Sequence, residues 1–457
     1  MIICPYIQFP DTRSRYTLLF GLFLLMLQTG CSSVERILKR AEAAQGIGEY
    51  CEAANLYRRA YQRIPSRERD RRGTVAYRMG DAYRRYGNTA RALSAYTSAV
   101  RYHYVDTLTY FYQGEMLRLS GNYKGAAESY RQHLERYPED AVASAALENA
   151  LSAPAEKGKS SAYTVKLATM FNGNRSDYAP ALMGTDAAEI YFTTTRSQVT
   201  GNELSGITGM KNGDIYVSRK DEKGKWKIAE MAEGVNTSGD EGACSFSPDG
   251  QTMYLTVCRT DQQYPRMAEI WTARRSDAKW SKPQALKITA DTLSSYAHPA
   301  VSPDGRWLYF ASDMPGGYGG LDIWRAEIIP GHGLGPVENL GEQINTPGNE
   351  VFPALRPDGE LYFASDGHTP NLGGLDLYRA VEDTVTHRWS VRHLPAPMNS
   401  NGDDFGITFE GLHNRGYFSS NRSTGGRGWD KIYSFSYPEV LQTVKGWVYE
   451  RHRLYGR

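Results

Sequence analysis

Residues 303–313 read PDGRWLYFASD, and residues 357–366 read PDGELYFASD. The shared Pro-Asp-Gly has the chemistry of a tight turn. Proline presets φ, Asp bonds the nearby backbone, and Gly takes the positive φ. The run after it reads as a short strand bounded by turn residues. A turn and a strand repeated at such an interval suggest a repeat architecture.

The repeat is longer than the quoted stretch. Asp214-Ile215-Tyr216, Glu269-Ile270-Trp271, Asp322-Ile323-Trp324, Asp376-Leu377-Tyr378 and Ile432-Tyr433 recur, with their aromatics 55, 53, 54 and 55 residues apart. The units also open alike, as in Tyr296-Ala297-His298-Pro299-Ala300 and Glu350-Val351-Phe352-Pro353-Ala354. Five such units of several short strands predict an all-β propeller of five blades. The first strand of a unit ends at a turn, Pro-Asp-Gly at 248–250, 303–305 and 357–359, absent from unit one and replaced by Glu410-Gly411-Leu412 in unit five; a LYFAS-like run is the second strand and a DIW-like run the third. An outer strand such as Trp226–Ala229 or Trp389–Val391 is the fourth. Unit five has no outer strand of its own. Thr164–Ala168, followed by Asn172-Gly173, matches the stretch before unit four and is expected to complete the last blade. That closes the ring and leaves few strand edges exposed. The repeated acids are then corners of the fold. A calcium site needs several oxygens converging within one loop, and these acids are spread singly around the ring.

Ahead of the ring the periodicity is helical. Gly48, Gly87 and Gly121 are each followed nine residues later by a tyrosine, at Tyr57, Tyr96 and Tyr130, with alanines between. Met79-Gly80 and Tyr83 add a first-helix pattern, and Pro138 closes the third copy. A turn glycine with small residues opposite aromatics, repeating at 39 and 34 residues, predicts a tetratricopeptide-like α-helical solenoid. Ser152–Ser161, SAPAEKGKSS, reads as a linker.

At the start, Arg13 and Arg15 precede the apolar run Tyr16–Leu27, which is short for a bilayer span and reads as an export signal. It ends in Gln28-Thr29-Gly30-Cys31. A small residue before a cysteine is the pattern of a bacterial lipobox, although the usual leucine position is held by Gln28, with Leu27 one residue further out. Cys31 is therefore the expected lipid attachment site, its acyl chains tethering a soluble body to a membrane. An ordinary signal peptide is the alternative.

The whole chain carries a formal charge of +2, which makes no electrostatic case for nucleic acid. The balance is uneven. Residues 31–160 hold 21 Lys and Arg against 15 Asp and Glu, and residues 161–457 hold 30 against 35. A solvated basic face is the plain reading of the first part, and an acidic protein partner the sharper one. Five cysteines are too few for a disulfide framework, and Cys244 and Cys258 are expected as free thiols on one hairpin. No metal-ligand spacing, G-x-S-x-G elbow or cofactor motif occurs, so no catalytic, metal or cofactor residue is expected.

The Ser302-Pro303-Asp304-Gly305 to Trp324 unit closely resembles the propeller repeat of TolB-like proteins, a PD40 or WD40-like repeat. With the lipobox and the helical repeats, the order resembles periplasmic outer-membrane lipoproteins of Bacteroidota in the OmpA family, some of which serve type IX secretion. In that family a carboxypeptidase-regulatory-like sandwich and a peptidoglycan-binding domain follow the ring. Gln442–Tyr449 resembles the first strand of that sandwich, and no wall-binding domain follows it in the sequence.

The expected domains are a signal peptide over 1–30, tetratricopeptide-like repeats over 31–151, a linker over 152–161, the propeller over 162–438, and the start of a truncated sandwich over 439–457. The resemblance implies a non-catalytic scaffold anchored at the outer membrane, facing the periplasm and docking envelope or secretion proteins. Peptidoglycan would be a partner only through the missing domain. The alternative is a propeller that binds or hydrolyses glycan or peptidoglycan at its mouth.

Overall fold

The computed structural model describes residues 33–104, 108–184, 186–201, 204–258, 267–277, 279–422 and 429–438. The expected signal peptide, Cys31 and the segment 439–457 lie outside them.

The first part is a helical solenoid. Residues 33–46 form α1, and α2 (Tyr50–Arg63), α3 (Arg69–Arg85), α4 (Thr89–Arg101), α5 (Thr109–Leu119), α6 (Tyr123–Leu134) and α7 (Ala141–Lys157) follow. The helices pair as α1–α2, α3–α4 and α5–α6, with α7 closing the stack. Each pair turns on the glycine singled out by its spacing: Gly48, Gly87 and Gly121 have φ of 82°, 81° and 75°. Asn88 and Asn122 then cap the next helix, their side chains accepting from the N–H of Arg91 and Gly125. The three tyrosines at the fixed offset are fully buried. Small residues opposite them are required: a Cβ on Gly80 would lie 3.0 Å from the Tyr96 ring, and one on Gly114 would lie 2.6 Å from the Tyr130 ring.

The stretch read as a linker from Ser152 is helical as far as Lys157. Pro154 stands in the last turn of α7, and Ala150 and Ala153 on the same helix are buried. Packing against neighbouring side chains outweighs the lost N–H at Pro154. Only residues 158–163 connect the helices to the ring. The arginines around Arg67–Arg72, which resemble a basic loop in the sequence, mostly open α3, where Arg71 pairs with Glu35 and Glu68.

The second part is a ring of five antiparallel sheets. After β1 (Thr164–Leu167), blade one holds β2 (Asp177–Met183), β3 (Glu189–Thr194), β4 (Asp214–Arg219) and β5 (Glu230–Met231). Blade two holds β6 (Asp240–Phe246), β7 (Thr252–Cys258), β8 (Ala268–Ser276) and the short β9 (Lys279–Trp280) and β10 (Gln284–Ala285). Blade three holds β11 (Tyr296–Val301), β12 (Trp307–Ser312), β13 (Asp322–Ile329) and β14 (Gly333–Asn339). Blade four holds β15 (Glu350–Leu355), β16 (Leu361–Ser365), β17 (Asp376–Asp383) and β18 (Arg388–His393). Blade five holds β19 (Asp404–Phe409), β20 (Arg415–Ser420) and β21 (Lys431–Ser436), and its outer strand is β1. Thr164 pairs with Ser436 and Leu167 with Tyr433, so the N-terminal strand closes the last blade.

One strand differs from its expected place. Trp226 makes only a bridge to Lys220, and the outer strand of blade one is Glu230–Met231. The Trp226 indole turns inward instead, meeting Phe171 edge-on and donating to the Tyr417 hydroxyl at 2.9 Å.

The Pro-Asp-Gly stretches are corners. Gly250, Gly305 and Gly359 have φ of 66°, 73° and 87°, and their N–H groups donate back to the carbonyls of Ser247, Ser302 and Arg356. Asp249 and Asp304 accept from the backbone two residues on and from a serine hydroxyl. The DIW-type acids are also internal. Asp214, Asp322 and Asp376 are fully buried, and each accepts the N–H of the preceding loop, from Thr200, Tyr318 and Leu372.

A second tie fastens the segment leaving a blade to that blade's third strand. Asn172, Asn236, Asn345 and Asn399 each accept from the N–H and donate to the carbonyl of one third-strand residue: Ile432, Ile215, Ile323 and Leu377. Asp291 holds the equivalent position before blade three. It accepts from Leu293 and Ser294 within its own loop.

Candidate functional site

The five first strands surround the axis, and each breaks register at the same place. The residue at the break has positive φ in every blade: Ala179 (50°), Ala243 (39°), His298 (54°), Phe352 (52°) and Gly406 (60°). Such bulges re-aim side chains. Three of the bulged N–H groups are satisfied by the neighbouring blade, as Ala179 donates to Ser419, Ala243 to Thr193 and His298 to Thr256. Prolines follow at Pro180, Pro299 and Pro353, on strands that carry no ladder on their axial side.

On the Pro-Asp-Gly face the axis opens into a funnel of about 530 Å³. Alanines, prolines, Leu182, Phe352 and Ile407 line it, and among the described residues its lining holds no Asp, Glu, Lys or Arg and one imidazole, His298. The ring stacks on Phe352 at 3.6 Å, and burial lowers its pKa to about 3, so it is neutral at physiological pH. Cys244 also lines the funnel, and burial pushes its thiol up to about 12, which keeps it protonated. Ser245 and Thr408 spend their hydroxyls on the backbone of Val301 and Leu182.

Carboxylates gather at the other end of the axis. Leu321 and Leu375 pack into an apolar plug with Ala311, Val351, Ala364 and Phe405. The last blade places Asp430 where those leucines stand, immediately before its third strand. Burial and the nearby Asp403 raise the Asp430 pKa to about 7. Asp403 itself is raised by burial, while accepting from Leu375 and Asn421. Its neighbour Asp404 faces the other way, onto Ser400 and Arg422, as alternation on a strand requires.

The solenoid sits on this same face. At one end, the first free N–H groups of α2, from Cys51 and Glu52, donate to the carbonyl of Gly206 in blade one. At the other, the blade four loop enters a groove between α5, α6 and α7. The Arg118 guanidinium donates to the Asn371 side chain and the Gly373 carbonyl, the Tyr123 hydroxyl to the Leu372 carbonyl at 2.9 Å, and the Asn371 N–H to Asn149 at 3.2 Å. Leu372 is fully buried against Tyr123 and Ala153. Asn401 of blade five adds a bond to the Leu119 carbonyl. The solenoid thus meets its own ring through neutral main-chain, amide and hydroxyl groups of the ring and its helices, with Arg118 the one cation among these contacts.

Cys244 and Cys258 form no disulfide, as their offset on the hairpin requires. The bulges fall inside the repeated unit openings, at the residue before Pro180, Pro299 and Pro353, while the buried Leu372 carries no periodicity that marks it. The asparagine tie was visible in part, as the likeness of Asn172-Gly173 to Asn345-Thr346.

Residues 77–141 match the tetratricopeptide repeat family. No curated protein matches the chain. Among solved structures, the helical part is similar to the myosin chaperone UNC-45 from C. elegans in complex with an Hsp90 peptide. The identity is 22% and the TM-score 0.26, over 27% of this chain and 14% of that one. The ring is similar to a protein of unknown function from Dyadobacter fermentans, at 14% identity and a TM-score of 0.36, over 57% of this chain and 77% of that one. It is also similar to an alpha-L-arabinofuranosidase from Lactobacillus brevis, at 12% and 0.37, over 60% of this chain and 94% of that one. The chain thus joins tetratricopeptide repeats to a five-bladed β-propeller.

Proposed function

We propose that the chain is a non-catalytic scaffold of the bacterial envelope, tethered to the outer membrane through lipid on Cys31 and facing the periplasm. Its solenoid and ring dock other envelope or secretion-system proteins, in the manner of the type IX secretion lipoproteins that it resembles. The observation that carries this reading is the axial funnel. Its lining offers shape and apolar surface, with a neutral imidazole and a protonated thiol, and no carboxylate pair for acid–base work. Fatty-acid labelling tests the anchor: wild-type protein takes up label and sediments with outer membranes, and Cys31→Ala does neither. Crosslinked pull-down from envelopes tests the docking; recovery of free monomer alone argues against it.

One observation favours the second reading, a glycan-active or glycan-binding mouth. Asp403 and Asp430 both have raised pKa values, and a group near 7 is poised for proton transfer. Hydrolysis of a peptidoglycan or glycan library, abolished by Asp430→Asn, would establish it in place of the scaffold.

A further inference from the structure

We infer that the groove between α5, α6 and α7 is a peptide-binding site that the chain keeps filled with its own Asn371-Leu372-Gly373 loop. When that loop is withdrawn, the groove takes an uncharged turn-forming segment from a partner, with a leucine preceded by asparagine. This inference is independent of where in the cell the protein resides.

The loop is held as a bound peptide would be. Three consecutive residues have main-chain groups engaged by helix side chains: the Asn371 N–H by Asn149, the Leu372 carbonyl by Tyr123 and the Gly373 carbonyl by Arg118. One side chain, Leu372, is swallowed whole in an apolar seat. One polar side chain, Asn371, receives the Arg118 guanidinium, which Glu115 holds in place from one turn earlier on α5. Main-chain bonds supply affinity and a pocket supplies selection, the division found wherever extended peptides are recognised.

The shape of the loop comes from the ring alone. Asn371 donates to the Ser365 and Gly374 carbonyls, and the Leu372 N–H donates to Asp376. Blade three repeats the aspartate bond of this frame, the Tyr318 N–H donating to Asp322 at 2.7 Å, on a residue that is 49% exposed. The blade four loop is therefore preorganised, and binding it costs little ordering. A short connector also presents it at an effective concentration of roughly millimolar. A partner segment of similar affinity is excluded until the loop leaves.

The test uses the full chain and a fluorescent peptide of the loop sequence, Thr-Pro-Asn-Leu-Gly-Gly-Leu, read by anisotropy. Leu372→Asp empties the groove and is expected to bind the peptide at least ten-fold more tightly than wild type. A peptide with Asp in place of its Leu should bind neither protein. Adding Tyr123→Phe and Arg118→Gln to Leu372→Asp should remove the gain. If Leu372→Asp does not fold, by circular dichroism, Leu372→Ala gives the same comparison with a smaller gain. A folded variant that binds the peptide no better than wild type overturns the proposal, as does equal binding of the Leu and Asp peptides.

Discussion

Blades three and four present the same loop on the same face, and they meet opposite fates. In both, a buried aspartate, Asp322 or Asp376, ties the loop backbone down. In blade three the loop lifts Tyr318 into solvent, and in blade four it drives Leu372 into the solenoid. The frame therefore belongs to the propeller repeat, and its use depends on what packs over it. A structural repeat can carry such a loop in several blades, press it against the solenoid in blades one and four, and leave it exposed in blade three.

The sharpest way to break that comparison is to place a charge on each loop. Leu372→Asp puts a carboxylate in an apolar seat, where an unpaired charge is not tolerated. The solenoid should detach, read as a larger radius of gyration in solution scattering, while Tyr318→Asp leaves the radius unchanged. Arg118→Ala comes next. It removes the donor to Asn371 and Gly373 and strips Glu115 of its buried partner, so a loss on the order of 3 kcal/mol in the solenoid's unfolding is expected by denaturant titration.

The ring offers a second contrast, between its seams. Asn399→Ala orphans the N–H of Leu377 and takes one of two donors from its carbonyl, the other being the Leu394 N–H, which should cost about 1–3 kcal/mol. Asp291→Ala removes contacts only within its own loop, so it should cost less in the same melt.

A further effect is a pH dependence. Asp430 has a native pKa of about 7 against an ordinary 3.8, so the folded state holds this proton more tightly than the unfolded chain. Its burial then costs nothing near pH 3, costs more as pH rises toward 7, and stays constant above that. The melting-temperature gain of Asp430→Asn should follow the same course. A gain that is flat from pH 4 to 8 would show that Asp430 is not enclosed.

The architecture was legible because both halves repeat. Fixed offsets from glycine to tyrosine marked the helix pairs, and the 53–55 residue spacing of aromatics counted the blades. The N-terminal strand was placed by its likeness to another unit's outer strand. Less was legible where one contact overrides a local pattern. The helix through Pro154 survives because Ala150 and Ala153 pack, and the strand expected at Trp226–Ala229 yields because the indole has a better place inside. The latch was out of reach for a different reason: nothing in Asn371-Leu372-Gly373 says that Arg118, some 250 residues earlier, will receive it.

The most direct test of the latch is hydrogen exchange at the two loops in the intact protein. The Asn371 amide donates across the interface to Asn149 and should exchange far more slowly than the Gly317 amide at the matching place in blade three. Leu372→Asp should bring the two rates together. Equal rates in the wild-type protein would mean that the solenoid does not hold the ring.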